Sequence, residues 1–381
     1  MIEPLIEIDE QRQTRAREYA RLRRRLWLVG LLIDGVYITI WLWQGWAIRL
    51  RQAFDATGLA WWTVLIGVAF GFAVPLLLIS LPLSFYRSFT LPHRYGLSTQ
   101  TLRGWFTDLV KGGILSLAIG TPLLLALYTT IRLSPTAWWL WAAGGYSLVT
   151  VVLTAIAPIL LMPIFYKFKP LDENHAELVE RLLRLAKRAE TRVRGVFTFD
   201  MSRRTRTANA ALVGIGGSRR ILLGDTLIEE FSTDEIETVM AHELGHHVHG
   251  DIPLSILVQS AFNFLAFFLA FQGLDLAVSR MNLLGASDPA GLPVLGLLFA
   301  TLGLITMPFA NALSRWRETM ADKYALNITN KGRTYASALA RLADQNLAEV
   351  DPERWVVVLL YSHPPLQSRI AEALQFEERS S

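Results

Sequence analysis

The sequence predicts an α-helical polytopic membrane protein, with about six transmembrane helices and a small cytoplasmic α+β domain. Of its 381 residues, 52% are hydrophobic and only 18% are charged, whereas soluble domains average about 25% charged residues. The mean hydropathy is +0.33. The net charge of +4 is modest, and the basic residues flank apolar stretches, which indicates membrane topology rather than nucleic-acid binding.

Six apolar stretches are long enough to cross a bilayer, which takes about 20 residues. The chain therefore divides into an N-terminal membrane domain, residues 1–163, with four spans, and a C-terminal domain, residues 164–381, with the last two spans. The predicted spans cover residues 26–48, 61–85, 112–131, 137–163, 253–278 and 292–313.

Basic residues predict the orientation of these spans. Seven arginines precede the first span, and four basic residues lie in the loop 87–111 between the second and third spans. The opposite side carries four in all. Because cytoplasmic loops are enriched in lysine and arginine, both termini and the segment 164–252 are expected on the cytoplasmic side of an integral, multi-pass membrane protein.

The segment between the fourth and fifth spans reads as a small α+β unit. Residues 173–190 repeat apolar side chains at helical spacing. Residues 193–199, 211–215 and 221–223 read as strands, with glycines after the second of them. A capping box that begins at Ser232 predicts the start of a further helix.

That helix carries the decapeptide A-H-E-L-G-H-H-V-H-G at 241–250. His242 and His246 are four residues apart, so both imidazoles share one helix face, where one zinc ion can bind them. Glu243 lies beside them and is placed to take a proton from an attacking water. The chain has no cysteine, which excludes thiolate metal sites and cysteine nucleophiles.

A catalytic zinc usually has three protein ligands, and a third candidate follows the last span. Glu318 and Asp322 are four residues apart and share a helix face. Glu318 could bind the metal, and Asp322 could accept a hydrogen bond from a ligating histidine. The alternative is a solvated helix face, with Arg315 and Arg317 as the partners of the two carboxylates.

Several sequence blocks, in order, resemble the type I CAAX prenyl proteases, which are integral membrane zinc metalloendopeptidases. Three match the family's signature blocks: H-E-L-G-H at 242–246, R-E-T-M-A-D at 317–322 and S-H-P-P-L-Q-S-R at 362–369. The similarity extends to L-P-H-R-Y-G-L-S-T-Q-T at 91–101, P-I-F-Y-K-F-K-P-L at 163–171, S-R-R-T-R-T-A-N-A at 202–210 and R-R-I-L-L-G-D-T-L at 219–227.

The resemblance implies a role for each matching residue. His242, His246 and Glu318 match the family's zinc ligands, and one zinc ion per chain is expected. Glu243 matches the general base. Asp322 matches a carboxylate that orients a ligating histidine.

Further matches lie around this centre. Asn209 matches a position on an edge strand beside the bound peptide, His363 a residue that steadies the oxyanion, and Arg369 one that pairs with acidic neighbours. In the family the helices surround a water-filled chamber. Its eukaryotic members have seven spans, and only two spans here precede the H-R-Y-G block where three are usual, so the first helix is expected to be the one absent. A prokaryotic-type member is expected, and a prokaryotic protein of this kind would lie in the bacterial plasma membrane.

The expected function is zinc-dependent hydrolysis of peptide bonds in membrane-associated substrates, with CAAX-type processing implied by the resemblance. The expected partners are a peptide or lipidated peptide and the lipid bilayer, with no nucleic acid. One alternative is a membrane-protein quality-control metalloprotease of broad specificity. Another is a non-catalytic membrane scaffold or lipid carrier, which would not need Glu243, Glu318 and Asp322 together.

Overall fold

Long apolar helices make up most of the fold. The structure, a computed structural model, describes residues 9–214 and 216–380. Within these residues six helical stretches are long and apolar enough to span a membrane, which confirms the predicted number. They are Glu10–Gln44, Trp61–Arg94, Leu102–Leu133, Trp138–Phe165, Asp251–Arg280 and Pro289–Thr329.

The N-terminal half is helical along most of its length. Two π-helical turns, Tyr86–Thr90 and Ala157–Leu161, interrupt its second and fourth spans. Its α-helices are α1 (Glu10–Gln44), α2 (Trp46–Asp55), α3 (Trp61–Phe85), α4 (Leu91–Arg94), α5 (Leu102–Leu133), α6 (Trp138–Ile156) and α7 (Met162–Phe165).

The first span ends earlier than the apolar pattern over residues 26–48 predicts. Helix α1 ends at Gln44, because Gly45 takes a left-handed conformation with φ of 61°. Glycine adopts this conformation without a steric cost, and the Gly45 N–H donates to the Leu42 carbonyl. The chain then turns into the short helix α2, so apolar composition placed the end of this span four residues too late.

A small α+β unit follows the fourth span. Its elements are β1 (Phe168–Pro170), α8 (Ala176–Arg188), β2 (Val196–Phe199), β3 (Ala210–Val213) and β4 (Arg220–Gly224). Strand β1 was not predicted, and of the strand predicted over 211–215, Ile215 lies outside the described residues. The remaining elements confirm the predicted helix and strands with shifted ends.

The four strands form one sheet in the order β1-β2-β4-β3. Strands β2 and β4 are parallel, and β3 pairs antiparallel with β4. Strand β3 therefore lies at an edge of the sheet, where its outer backbone groups can pair with a further strand.

The C-terminal half returns to the membrane twice. Helix α12 has 38 residues and a length of about 57 Å, so it extends well beyond a hydrocarbon core of about 30 Å. The helices are α9 (Asp225–Glu230), α10 (Thr233–Val248), α11 (Asp251–Arg280), α12 (Leu292–Thr329), α13 (Gly332–Gln345), α14 (Arg354–Leu360) and α15 (Leu366–Ser380).

Two main apolar clusters hold these elements together. One joins the spans, and includes Tyr37, Tyr128 and Trp138 together with residues of α11 and α12. The other lies beneath the sheet and packs α8, β4, α10, α13 and α15 together. Met240 and Leu244 place one face of α10 in this second cluster, which leaves the histidine face turned towards α12.

Candidate active site

Helix α10 begins at a side-chain cap and positions both histidines. The Glu235 N–H donates to Ser232 Oγ at 3.3 Å, and the Ser232 N–H donates to Glu235 Oε2 at 2.9 Å, which confirms the predicted capping box. Such a cap satisfies backbone donors that would otherwise lack partners. The helix then continues without interruption through His242 and His246.

Three side chains from two helices converge on one point. The Nε2 atoms of His242 and His246 lie 3.1 Å apart. Glu318 Oε2 lies 3.3 Å from His242 Nε2, and its Oε1 lies 3.4 Å from His246 Nε2. One potential ligand atom from each residue falls within 4.8 Å of the others. The helix-face alternative for Glu318 is therefore wrong, because this side chain is buried against the histidines.

The donor chemistry of this cluster fits a cation. Asp322 Oδ1 lies 2.8 Å from His242 Nδ1, and Asp251 Oδ2 lies 2.6 Å from His246 Nδ1. We assign the Nδ1–H tautomers from these partners, so both Nε2 lone pairs point at the shared space. Glu318 Oε2 is buried, and no described donor forms a hydrogen bond to it. Three facing acceptors are unfavourable without a positive charge between them.

A buried network supports the first histidine. Arg369 donates to Asp322 from Nε at 2.8 Å and from Nη2 at 2.7 Å. The Tyr335 hydroxyl donates to Asp322 Oδ1 at 2.6 Å and lies 3.1 Å from His242 Nδ1. Burial raises the pKa of the Tyr335 phenol well above its ordinary value, so this hydroxyl keeps its proton. The network fixes the orientation of the His242 ring.

Close packing of α10 on α12 brings Glu318 to the histidines. A Cβ atom added at Gly245 would lie 3.0 Å from the Ala321 Cα and 3.1 Å from the Ala321 carbonyl oxygen. These contacts are to backbone, which cannot move aside as a flexible side chain can. Glycine at this position therefore sets the distance between the two helices that carry the ligands.

We expect Gly245→Ala to destabilise the protein by about 1–3 kcal/mol, the usual cost of overpacking, and to weaken metal binding. Denaturant unfolding in micelles and competition with a chelator measure the two effects. Gly303→Ala is the matched control, because nothing lies within 4 Å of a Cβ added there. If both variants behave alike, Gly245 does not set the helix distance.

A cavity of about 720 Å³ opens over the cluster. Glu243, Asn209 and His363 all line it. Burial raises the pKa of the Glu243 carboxyl, which favours its use as a proton acceptor near neutral pH. His363 Nε2 lies 3.3 Å from Glu318 Oε1, and Asn209 lies immediately before edge strand β3. The eight site residues predicted from the sequence therefore lie together, either in the wall of one cavity or in the metal centre next to it.

Two residues of the site, Tyr335 and Asp251, were not predicted from the sequence, and a third, Arg317, has a partner other than the expected one. Tyr335 comes from α13, and no local pattern links it to the histidines. Asp251 follows His246 by five residues and reaches back across the left-handed Gly250, with φ of 67°. Arg317, adjacent to Glu318, lies 2.5 Å from Asp251 Oδ1. An acidic residue just after the histidine motif was the signal that could have identified Asp251.

Two family models match the chain. Residues 5–167 match the CAAX prenyl protease N-terminal region, described as five membrane helices. Residues 172–377 match peptidase family M48. Together the two matches account for most of the chain, and the second contains every residue of the candidate metal centre.

Individual relatives agree with these matches. An uncharacterized metalloprotease of Bacillus subtilis is 31% identical over 94% of this chain and 84% of its own length. CAAX prenyl protease 1 of Saccharomyces cerevisiae is 31% identical over 77% of this chain and 68% of its own. The crystal structure of S. mikatae Ste24p superposes with a TM-score of 0.87 at 24% identity, covering 98% of this chain and 91% of that one, which shows a shared fold.

Proposed function

The chain belongs to peptidase family M48 and is a membrane metalloendopeptidase, and we propose that it uses one zinc ion to hydrolyse peptide bonds in membrane-associated substrates. The observation that carries this proposal is the convergence of three metal-binding side chains beneath a cavity large enough for a peptide segment. Two imidazoles and one carboxylate are a common ligand set of catalytic zinc.

We propose His242, His246 and Glu318 as the zinc ligands. When bound, the ion supplies Lewis-acid polarisation of the scissile carbonyl and lowers the pKa of a water from about 15.7 towards 7. Asp322 and Asp251 hold the two imidazoles in the tautomer that presents Nε2. Such supporting partners commonly contribute 10- to 100-fold to metal affinity.

Glu243 is the proposed general base. It follows the first ligand directly on α10, and its side chain lines the cavity above the metal centre. Its raised pKa suits a group that accepts a proton from the attacking water and returns it to the leaving nitrogen.

His363 and Asn209 are the proposed hydrogen-bond donors to the oxyanion. They approach from different elements, because His363 lies between α14 and α15 and Asn209 precedes β3. Loss of one such donor typically costs about 3–4 kcal/mol of transition-state stabilisation. Arg369 is proposed to support the metal centre, because its guanidinium group pairs with the carboxylate of Asp322.

Edge strand β3 is the proposed binding site of the substrate backbone. Its outer edge is unpaired among the described strands, and Ala210 lines the cavity beside Asn209. A peptide added to this edge gains backbone hydrogen bonds whatever its sequence. The basic flanks of the spans support a cytoplasmic location for the site and both termini.

The proposed substrate class is prenylated protein ends, as in the CAAX prenyl proteases. We expect a farnesylated reporter peptide, presented in micelles, to be cleaved with a kcat/KM at least tenfold above that of the unmodified peptide. Membrane anchoring raises the local concentration of the substrate, and each buried methylene adds about 0.8 kcal/mol.

A palmitoylated peptide of the same sequence is the control for simple membrane anchoring. A selective gain from the farnesyl group supports CAAX-type processing. Equal cleavage of farnesylated, palmitoylated and unmodified peptides contradicts it and supports a quality-control protease of broad specificity. No cleavage of any peptide contradicts the endopeptidase itself.

A further inference from the structure

The backbone just before edge strand β3 presents its polar groups to two sides in turn. The Asn209 carbonyl accepts from the Gly224 N–H at 2.9 Å, and the Thr207 carbonyl accepts from the Thr226 hydroxyl at 2.7 Å. Both of these carbonyls therefore face β4 and the residues that follow it. Successive residues of an extended chain present their backbone groups to opposite sides, so the N–H and C=O groups of Ala208 face the outer side of the edge.

One side chain already occupies this outer position. Asn346 Oδ1 accepts from the Ala208 N–H at 2.9 Å, and Asn346 Nδ2 donates to the Ala208 carbonyl at 3.3 Å. A carboxamide offers a donor and an acceptor side by side, so Asn346 pairs with Ala208 much as the backbone of a neighbouring strand would. The edge is therefore filled at Ala208, one residue before Asn209.

The fold fixes Asn346 at the end of α13. Its N–H donates to the Leu342 carbonyl at 3.0 Å, which closes the last turn of the helix. The next residue, Leu347, has a left-handed backbone with φ of 48°, and its side chain is buried in a cluster with Tyr19 and Tyr95. A residue with a side chain adopts this backbone conformation at a cost, which the surrounding packing offsets. The direction in which the chain leaves α13 is thus set, and with it the position of the Asn346 carboxamide.

Asn346 lies beside the proposed site of the substrate backbone. The active-site cavity is lined by Asn346, Asn209 and Ala210 as well as by His242 of the metal centre. Strand β3 packs on α10, the helix that carries this histidine. The alternation of backbone groups continues along β3, so the next outward groups are those of Ala210 and Leu212. These two residues are the part of the edge that a peptide can use.

We propose that Asn346 determines where a bound peptide leaves the edge of the sheet. This inference rests on the proposed binding of the substrate backbone to β3. A peptide that pairs with Ala210 and Leu212 meets the Asn346 carboxamide at the next outward position. It cannot continue past Ala208, so it leaves the sheet beside Asn209, inside the cavity of the metal centre. Asn346 is thus a positioning residue, which limits pairing to one stretch of β3 and brings the end of the paired stretch to the reacting groups.

The residue before Asn346 provides a matched comparison. Gln345 Nε2 donates to the Arg206 carbonyl at 2.9 Å, so a second side-chain amide holds the same backbone segment. Gln345 lines a different cavity from Asn346. Replacing Gln345 with Ala therefore removes a similar support from the segment without opening the edge of β3.

Binding of blocked peptides to full-length, zinc-loaded Glu243→Gln protein in neutral detergent tests this proposal. The probes are a short fluorescent peptide of alternating alanine and threonine, acetylated and amidated at its ends, and two longer forms with one more dipeptide at either end. In this parent protein, the extension that runs towards Ala208 finds no free backbone groups. In Asn346→Ala it pairs with Ala208, so the affinity ratio of this longer form to the short form should rise about fivefold or more, as for two added hydrogen bonds.

Zinc content and denaturant unfolding report whether Asn346→Ala keeps its fold. Asn346→Ser is the second variant, because its short side chain also opens the edge while its hydroxyl can still bond to the local backbone. The affinity ratio should rise in this variant too, by about twofold or more.

Gln345→Ala should keep the affinity ratio of the parent. An unchanged ratio in both Asn346 variants overturns the proposal. An equal rise in Gln345→Ala overturns it as well, because it indicates a general loosening of the segment. If the parent binds none of the peptides, the proposed binding edge is wrong and this inference fails with it, whereas peptide binding with an unchanged ratio contradicts the role of Asn346 alone.

Discussion

Replacing Glu243 with Gln is expected to lower kcat/KM for peptide cleavage by about 10²–10⁴-fold, the usual contribution of a general base, while one zinc ion stays bound per chain. The amide has nearly the shape of the carboxylate but cannot accept a proton from water. Glu243 lines the cavity. Its side chain forms no hydrogen bond or salt bridge with another residue that the structure describes, so the fold does not depend on it. Cleavage of a fluorogenic peptide and metal analysis of the same preparation measure the two quantities.

Glu173→Gln serves as the matched control for this substitution. Glu173 is exposed in the short helical turn before α8, so the same chemical change there should leave cleavage unaltered. Full activity in Glu243→Gln would show that another group accepts the proton. Loss of both activity and zinc would instead place Glu243 among the groups that hold the metal.

Replacing Arg369 with Met is expected to destabilise the protein by about 3–5 kcal/mol, because it leaves a buried carboxylate without its partner. The side chains of Arg369 and Asp322 are 9% and 4% exposed, so water cannot replace the lost hydrogen bonds. Methionine keeps most of the volume of the arginine stem, which limits the effect of an empty space. The pair also orients His242, and zinc affinity should therefore fall.

Denaturant unfolding in mixed micelles and a zinc competition titration measure these two effects. Arg379→Met is the control, because Arg379 is exposed on the same helix, α15. A loss of stability similar to that of the control would show that Asp322 keeps its charge without Arg369. If the variant is destabilised but its zinc affinity is unchanged, Arg369 supports the fold and not the metal centre.

Much of the fold follows from local patterns. Apolar length predicted the number of spans, because a bilayer-crossing helix needs about 20 apolar residues in a row. The capping box at Ser232 predicted the start of α10. Apolar composition did not reveal the end of α1, because one left-handed glycine ends a helix without changing its average hydropathy. It also missed β1, since a three-residue strand leaves too short a pattern.

The candidate site was predictable where its residues share one helix. His242 and His246 lie one turn apart on α10, and Glu318 and Asp322 lie one turn apart on α12. Spacing alone could not exclude that Glu318 and Asp322 lie on a solvated helix face. The resemblance of separate sequence blocks connected the two helices, and the structure places them in contact through Gly245.

The sequence by itself determined which residue types are available to each helix face, because helical periodicity fixes positions within one element. Only the tertiary structure decided which faces meet. Tyr335 reaches His242 from α13, and Asp251 turns back to His246. These distances depend on how separate elements pack, and side-chain volumes and backbone approach set that packing over many residues. No local pattern of the chain carries this information.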